Sequence, residues 1–324
     1  MVKKLLFTVF LWYTSYSYAQ TIKTDVLVIG GTPSGLAAAV QSARSKVKTI
    51  LIMHEKEFNI EAPIKLPADI MAVLANIPNR DTYILPTGVN LPSGVWGEFR
   101  ERVKAFYKTI PDYDTTYNAP LKFEKYTGAA ILKGIADTVK NLTVKINAPF
   151  TAIKKDGTGW EVSITVNGKT DIIKAKVVVD ATYEGEVVSK AGAAVLPAYN
   201  VYKNYNEVLQ RTSIAVADYG NGSDNPHADF NSPIGYNIPM KYVIADNVDN
   251  LLVTEKALPE PHGGLYLPAQ LTVGQGVGCI AAYCAFFKTT TKNLQPRVIQ
   301  QELLDFKGYL LPYTDITPDN KYIR

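Results

Sequence analysis

The residues in this chain best suited to chemistry stand near its start, in Gly30-Gly31-Thr32-Pro33-Ser34-Gly35. A dinucleotide pyrophosphate needs a tight turn, close backbone approach and a helix N-terminus whose N–H groups face the phosphates. Gly30 and Gly35 fit the first and third glycines of a G-x-G-x-x-G turn, with Thr32 at the second. A side chain there leaves the turn possible but narrows the approach to a phosphate. The acid that ordinarily binds the ribose hydroxyls is expected about 20 residues on, at the end of the second strand. Met53 holds that position, and a thioether is a weak acceptor. Glu55 would point to the same side if the strand continued. It either substitutes for the missing acid or is a solvated loop charge.

The other reactive side chains are few. The histidines are His54, His227 and His262, and the cysteines are Cys279 and Cys284. On a helix, a spacing of five puts the two cysteines about 140° apart, on different faces. That is neither a redox C-x-x-C nor a metal pair, so both read as small buried hydrophobes. No Ser/His/Asp arrangement, metal-ligand cluster or P-loop stands out.

These residues need elements to position them. Val26-Leu27-Val28-Ile29 reads as a strand buried on both faces, Leu36 to Arg44 as an Ala-rich helix, and Thr49 to Met53 as a second buried strand. Together they make a βαβ start. Trp96 to Lys108 and Lys125 to Lys140 have helical spacing, and Leu142 to Ile146 reads as a strand. Phe150–Lys154, Trp160–Val166 and Asp171–Lys176 read as three strands of a meander, joined at Asp156-Gly157 and Asn167-Gly168. Val177–Val179 and Leu251–Val253 are further apolar strands, Gly274 to Phe287 a Gly/Ala-rich helix and Val298 to Leu311 a last helical stretch.

The whole chain of 324 residues is 47% hydrophobic and 20% charged, ordinary for a globular protein. A formal charge of +4 with no Lys/Arg run argues against a nucleic-acid partner. Residues 1–19 have the pattern of a secretory signal peptide. Lys3 and Lys4 precede the apolar run Leu5 to Trp12, and Ser17-Tyr18-Ala19 places small residues for cleavage before Gln20. The run is too short to span a membrane, and no integral membrane segment is expected after signal removal.

Three segments carry a family resemblance: DVLVIGGTPSGLAAAVQSAR at the start, VVVDATYEGEVVSKAGA over 177–193, and the stretch from Asn250-Leu251-Leu252-Val253 through His262-Gly263-Gly264 to Gly274-Gln275-Gly276-Val277-Gly278. In that order the chain resembles the FAD-dependent oxidoreductases of the glutathione-reductase-like superfamily, whose members carry two dinucleotide-binding motifs, and in particular their exported bacterial type. The resemblance implies an α/β fold: a Rossmann-like FAD-binding domain with a three-stranded β-meander and a smaller inserted substrate or cap region. The expected layout is a FAD-binding domain from residues 20–60, 125–194 and 240–311, inserted cap regions at 61–124 and 195–239, and a tail at 312–324.

Roles follow from the resemblance. Gly30, Gly31, Thr32, Pro33, Ser34 and Gly35 would hold the FAD pyrophosphate, with Met53 and Glu55 at the ribose end. Asp180, Ala181 and Thr182 would close a strand against the cofactor. A helix beginning near Gly274, Gln275 and Gly276 would aim its N-terminal N–H groups at the flavin or ribityl chain, which favours a reduced, anionic flavin. His262 would be the acid–base group.

The implied activity is that of an exported, periplasmic or secreted FAD-dependent oxidoreductase. It would oxidise a small organic or sugar-derived substrate by hydride transfer to the flavin, with an unknown electron acceptor. Met53, and Glu255 and Lys256 standing where the family usually has Gly-Arg, carry the alternative: a relative of the same fold that has lost FAD and serves a binding or structural role. The first βαβ also permits an NAD(P)-dependent dehydrogenase.

Overall fold

The computed structural model describes residues 21–58, 60, 82–85, 94–116, 119, 121–197, 211–218, 235–258 and 267–310. The expected signal peptide, His227, His262 and the tail at 312–324 lie outside the described residues.

The sheet grows from the apolar runs. Strand β1 (Thr21–Ile29) pairs in parallel with β2 (Thr49–Ile52), Val26 facing Thr49 and Ile29 facing Ile52. Strand β5 (Leu142–Lys145) extends that edge in parallel. On the other side of β1 lies β8 (Lys169–Asp180), parallel to it from Thr21 opposite Ile172 to Ile29 opposite Asp180. Two expected strands, Asp171–Lys176 and Val177–Val179, are therefore one. Its two halves read differently because their surroundings differ. Over 169–175 the outer edge of β8 takes β7 (Gly159–Val166) in antiparallel pairing, followed by β6 (Phe150–Asp156). Over Val178–Asp180 it takes β11 (Leu251–Val253) in parallel, and there every residue is buried.

The β7–β8 connection is the Asn167-Gly168 pair, with φ of 51° and 75°, as a type I′ hairpin turn requires. The result is a mixed α/β fold of Rossmann-like FAD-binding type, with the parallel strands at its centre and the meander at one edge.

The helices in chain order are α1 (Pro33–Arg44), α2 (Gly94–Tyr107), α3 (Lys125–Asp137), α4 (Glu186–Lys190), α5 (Leu267–Phe286) and α6 (Pro296–Asp305). Helix α5 carries no charged residue and is buried along nearly its whole length. It packs on α1, α2, α6 and the sheet. Its crossing with α1 is close because small residues meet: a Cβ on Gly274 would lie 2.1 Å from the Ser34 carbonyl oxygen. Helix α2 enters the same core through Val95, Trp96, Phe99 and Val103. Cys279 and Cys284 are free and buried in α5, as the sequence predicts.

Four features depart from expectation. Helix α5 reaches back to Leu267, so Gly274, Gln275 and Gly276 lie inside it and not at its N-terminus. Proline at the second position of the described helix is tolerated, since N–H groups of a first turn have no intrahelical acceptor. Helix α6 ends at Asp305 rather than near Leu311. Strand β9 (Ser213–Asp218) and β10 (Gly235–Pro239) form an antiparallel pair where no periodicity was legible. Strand β3 (Thr82–Leu85) and β4 (Leu121–Glu124) form another. Among the described residues no helix is long and apolar enough to cross a membrane.

Candidate cofactor site

The site is built where β1 ends and α1 begins. Gly30 has φ of +121°, and a Cβ there would lie 2.4 Å from the Ala181 carbonyl oxygen. Only glycine lets the turn pass so close to β8. The Gly30 N–H donates to Ile52 O (3.0 Å), and Ala181 N–H donates to Ile29 O (2.8 Å). The turn is thus fixed to the strands on both sides.

Thr32 is the N-cap of α1. Its backbone is extended, with φ of −69° and ψ of 160°, and its Oγ1 accepts from Gly35 N (3.1 Å) while donating to Ala181 O (3.0 Å). Pro33 follows at N1, where its missing N–H costs nothing. The threonine at the second glycine position is therefore part of the turn's construction. The strand–turn–helix leaves the positive end of α1 at the carboxyl end of the parallel strands, the place a dinucleotide pyrophosphate takes in such folds.

Beneath this turn is a buried polar cluster. Ser34, at N2 of α1, donates from Oγ to Glu255 Oε1 (2.5 Å) and lies 2.7 Å from Thr254 Oγ1. Gln270 Nε2 donates to both carboxylate oxygens of Glu255, at 3.1 and 3.2 Å. Glu255 is 3% exposed, Gln270 1% and Ser34 not at all. Burial pushes the Glu255 carboxyl up to about 6, against the pull of hydrogen bonds from Ser34, Gln270 and Thr32. Sequence reasoning expects an acid at 255 to repel a phosphate. It does not show that Glu255 is held by Ser34, nor that Gln270 joins them, because the sequence pattern starts the helix carrying Gln270 only near Gly274. The one available signal was a glutamine among apolar residues ahead of the glycines.

The remaining expected residues are placed as follows. Met53 is buried with its side chain against Gly31, where a Cβ would lie 2.7 Å from the Met53 methyl. Strand β2 ends at Ile52, and Glu55 sits beyond it on an exposed bend, so the strand does not carry it to Met53's side. His54 is exposed on the same bend. Asp180 faces its own turn: its carboxylate accepts from Thr182 N (3.0 Å), Thr182 Oγ1 (2.6 Å) and Val188 N (2.9 Å). Burial pushes its carboxyl above the usual range, and those hydrogen bonds pull it back.

Gln275 bridges helices. It accepts from Val95 N (3.2 Å) and donates to Gln41 Oε1 (3.0 Å) and Phe306 O (3.2 Å). A Cβ on Gly276 would lie 2.5 Å from Ile214 O, so this glycine serves the packing of α5 on β9. Among the described residues no cluster of His, Cys, Asp or Glu could hold a metal ion.

The fold and this turn define a dinucleotide-binding α/β protein. Residues 25–208 match the family model described as FAD dependent oxidoreductase. That is more than half of the chain, and the protein belongs to the FAD-dependent oxidoreductase family, with FAD as cofactor. The glycine cradle against Ala181 and the capped N-terminus of α1 fit its pyrophosphate.

Among solved structures the chain is similar to p-nitrophenol 4-monooxygenase from Pseudomonas putida DLL-E4, with 17% identity over 54% of this chain and 44% of that one and a TM-score of 0.34. It is similar to a flavoprotein/dehydrogenase from Cytophaga hutchinsonii, with 20% identity over 55% and 44% of the two chains and a TM-score of 0.35. It is also similar to a geranylgeranyl bacteriochlorophyll reductase-like protein from Thermoplasma acidophilum, with 15% identity over 89% and 84% and a TM-score of 0.44. The chain matches less than half the length of the first two. No curated protein matches it.

Proposed function

We propose that this protein is an exported oxidoreductase of the glutathione-reductase-like superfamily that oxidises a small organic or sugar-derived substrate by hydride transfer to FAD and passes the electrons to a separate acceptor. The observation that carries the reading is the Gly30–Gly35 turn, fixed through Thr32 to Ala181 with the positive end of α1 above it. FAD supplies the redox chemistry, and the protein supplies binding, orientation and electrostatics.

The chain's own parts then have distinct tasks. Gly30, Gly31, Thr32, Pro33, Ser34 and Gly35 hold the pyrophosphate, and Asp180 braces the Ala181–Thr182 turn against it. His262, between β11 and α5 in the chain, moves the substrate proton, a task its ordinary titration range suits. The inserted stretches 61–124 and 195–239 form the substrate side. Export is supported by the charged, apolar and small-residue order of residues 1–19.

Purification of the protein expressed with its leader tests this reading. The expected product begins at Gln20 by mass and shows a flavin absorbance band. A colourless protein that takes up no FAD on titration overturns it.

A further inference from the structure

We infer that Glu255 is an internal anion that competes with the FAD pyrophosphate for the N-terminal turn of α1, so that cofactor affinity is set by whether this carboxyl is neutral. The inference rests on the reading of the turn as the FAD site and concerns what else that turn binds.

The geometry is specific. A helix N-terminus favours one negative group through its N–H groups and dipole. Here a carboxylate from the residues after β11 already lies against that first turn, accepting from the side-chain Oγ of Ser34, its second residue, at 2.5 Å. Gln270 holds both carboxylate oxygens as well, so the group cannot swing away without breaking three hydrogen bonds. Burial removes the water that would otherwise screen it.

No other charge offsets it among the described residues. Lys256, next in the chain, turns its ammonium to Glu184 at 3.3 Å. Asp180, at the end of the neighbouring strand β8, keeps its carboxylate on Thr182 and Val188. Helices α1 and α5 present only Thr32, Ser34 and Gln270. A phosphate arriving at this turn therefore meets a buried carboxyl with no charged partner among the described residues, one that is poised to take up a proton. Protonated, the same group becomes a donor and the repulsion disappears.

The test is FAD binding to the mature chain freed of flavin, followed by fluorescence quenching from about pH 5.5 to about pH 8.5. Wild-type affinity is expected to fall with rising pH, by up to about tenfold per pH unit above the midpoint. Glu255→Gln is expected to flatten the profile and to bind FAD about tenfold or more tightly at pH 8. A second measurement needs no variant: calorimetry of wild type in buffers of different ionisation enthalpy should show uptake approaching about one proton per FAD bound near pH 7.5.

Wild-type and Gln profiles that run parallel, or binding without proton uptake, overturn the inference while leaving the FAD reading intact. Failure of both proteins to bind FAD at any pH overturns both.

Discussion

Ser34 and Glu255, 221 residues apart in sequence, are joined by a 2.5 Å hydrogen bond between two buried side chains. This bond ties the start of α1 to the end of β11, and it has a consequence for stability. The carboxyl titrates at about 6 in the fold, against 4.5 for the ordinary side chain, because burial disfavours its charge. A raised acid stabilises the fold fully below the unfolded value and loses that contribution as pH rises through the folded one. Above pH 6 the charged form therefore costs about 2 kcal/mol. Denaturant unfolding of the flavin-free protein should show Glu255→Gln gaining on wild type by about that amount between about pH 4.5 and about pH 7. A difference between the two that stays constant over this window would show that the carboxyl does not titrate there.

Gly274 places α5 against the same residue from another side. A Cβ there would fall 2.1 Å from Ser34 O, a backbone atom that cannot step aside alone. Gly274→Ala should therefore push α1 and α5 apart, at a cost of about 1–3 kcal/mol. If the Gly30–Gly35 turn holds the pyrophosphate as proposed, FAD affinity should fall along with the melting temperature. Ala substituted at Gly134, inside α3, whose Cβ would meet nothing closer than 3.8 Å, serves as the control: it should leave FAD affinity unchanged and raise the melting temperature slightly, as a clash-free Gly→Ala in a helix does.

The fold was legible wherever its cause is local. The unbroken apolar run Val26–Ile29, the glycine turn and the Ala-rich helix specify the βαβ start, and Asp156-Gly157 and Asn167-Gly168 mark the meander hairpins. Strand β8 read as two because its first half is buried on one face and its last four residues on both, a change made by β11 and invisible in the strand itself. The β9–β10 pair was missed because it lies in a Tyr- and Asn-rich stretch with no alternating pattern. The strand–turn–helix at Gly30–Gly35 was legible from its glycines. The cluster under it was not, because residues 34, 255 and 270 meet only through tertiary packing. Gln275 shows the converse error: glycines on either side resemble a phosphate-binding helix end, whereas they lie inside α5 where it packs on α1 and β9.

Gln275 itself yields a prediction. Its amide satisfies the Val95 N–H and is bound in turn by Gln41 and the Phe306 carbonyl, all in the interior. Replacement by leucine keeps the volume and strips the partners. A buried donor or acceptor left unpaired costs about 1–3 kcal/mol. Gln275→Leu should lower the unfolding free energy by at least that much, and FAD affinity should change far less than in Gly274→Ala. A Gln275→Leu protein that is as stable as wild type but fails to bind FAD would instead make this side chain a cofactor contact.

His262 is the last prediction and concerns chemistry rather than folding. A positioned acid–base group typically contributes about 10²–10⁴ to a rate. If His262 moves the substrate proton, His262→Asn should lower turnover by that order, with the flavin spectrum and FAD stoichiometry retained. The pH profile should lose its limb near the histidine range, since asparagine does not titrate. The measurement that separates this from a binding role is anaerobic flavin reduction under single turnover. Slowed reduction at saturating substrate places His262 in the chemical step, whereas an unchanged rate with weaker substrate binding assigns it to positioning.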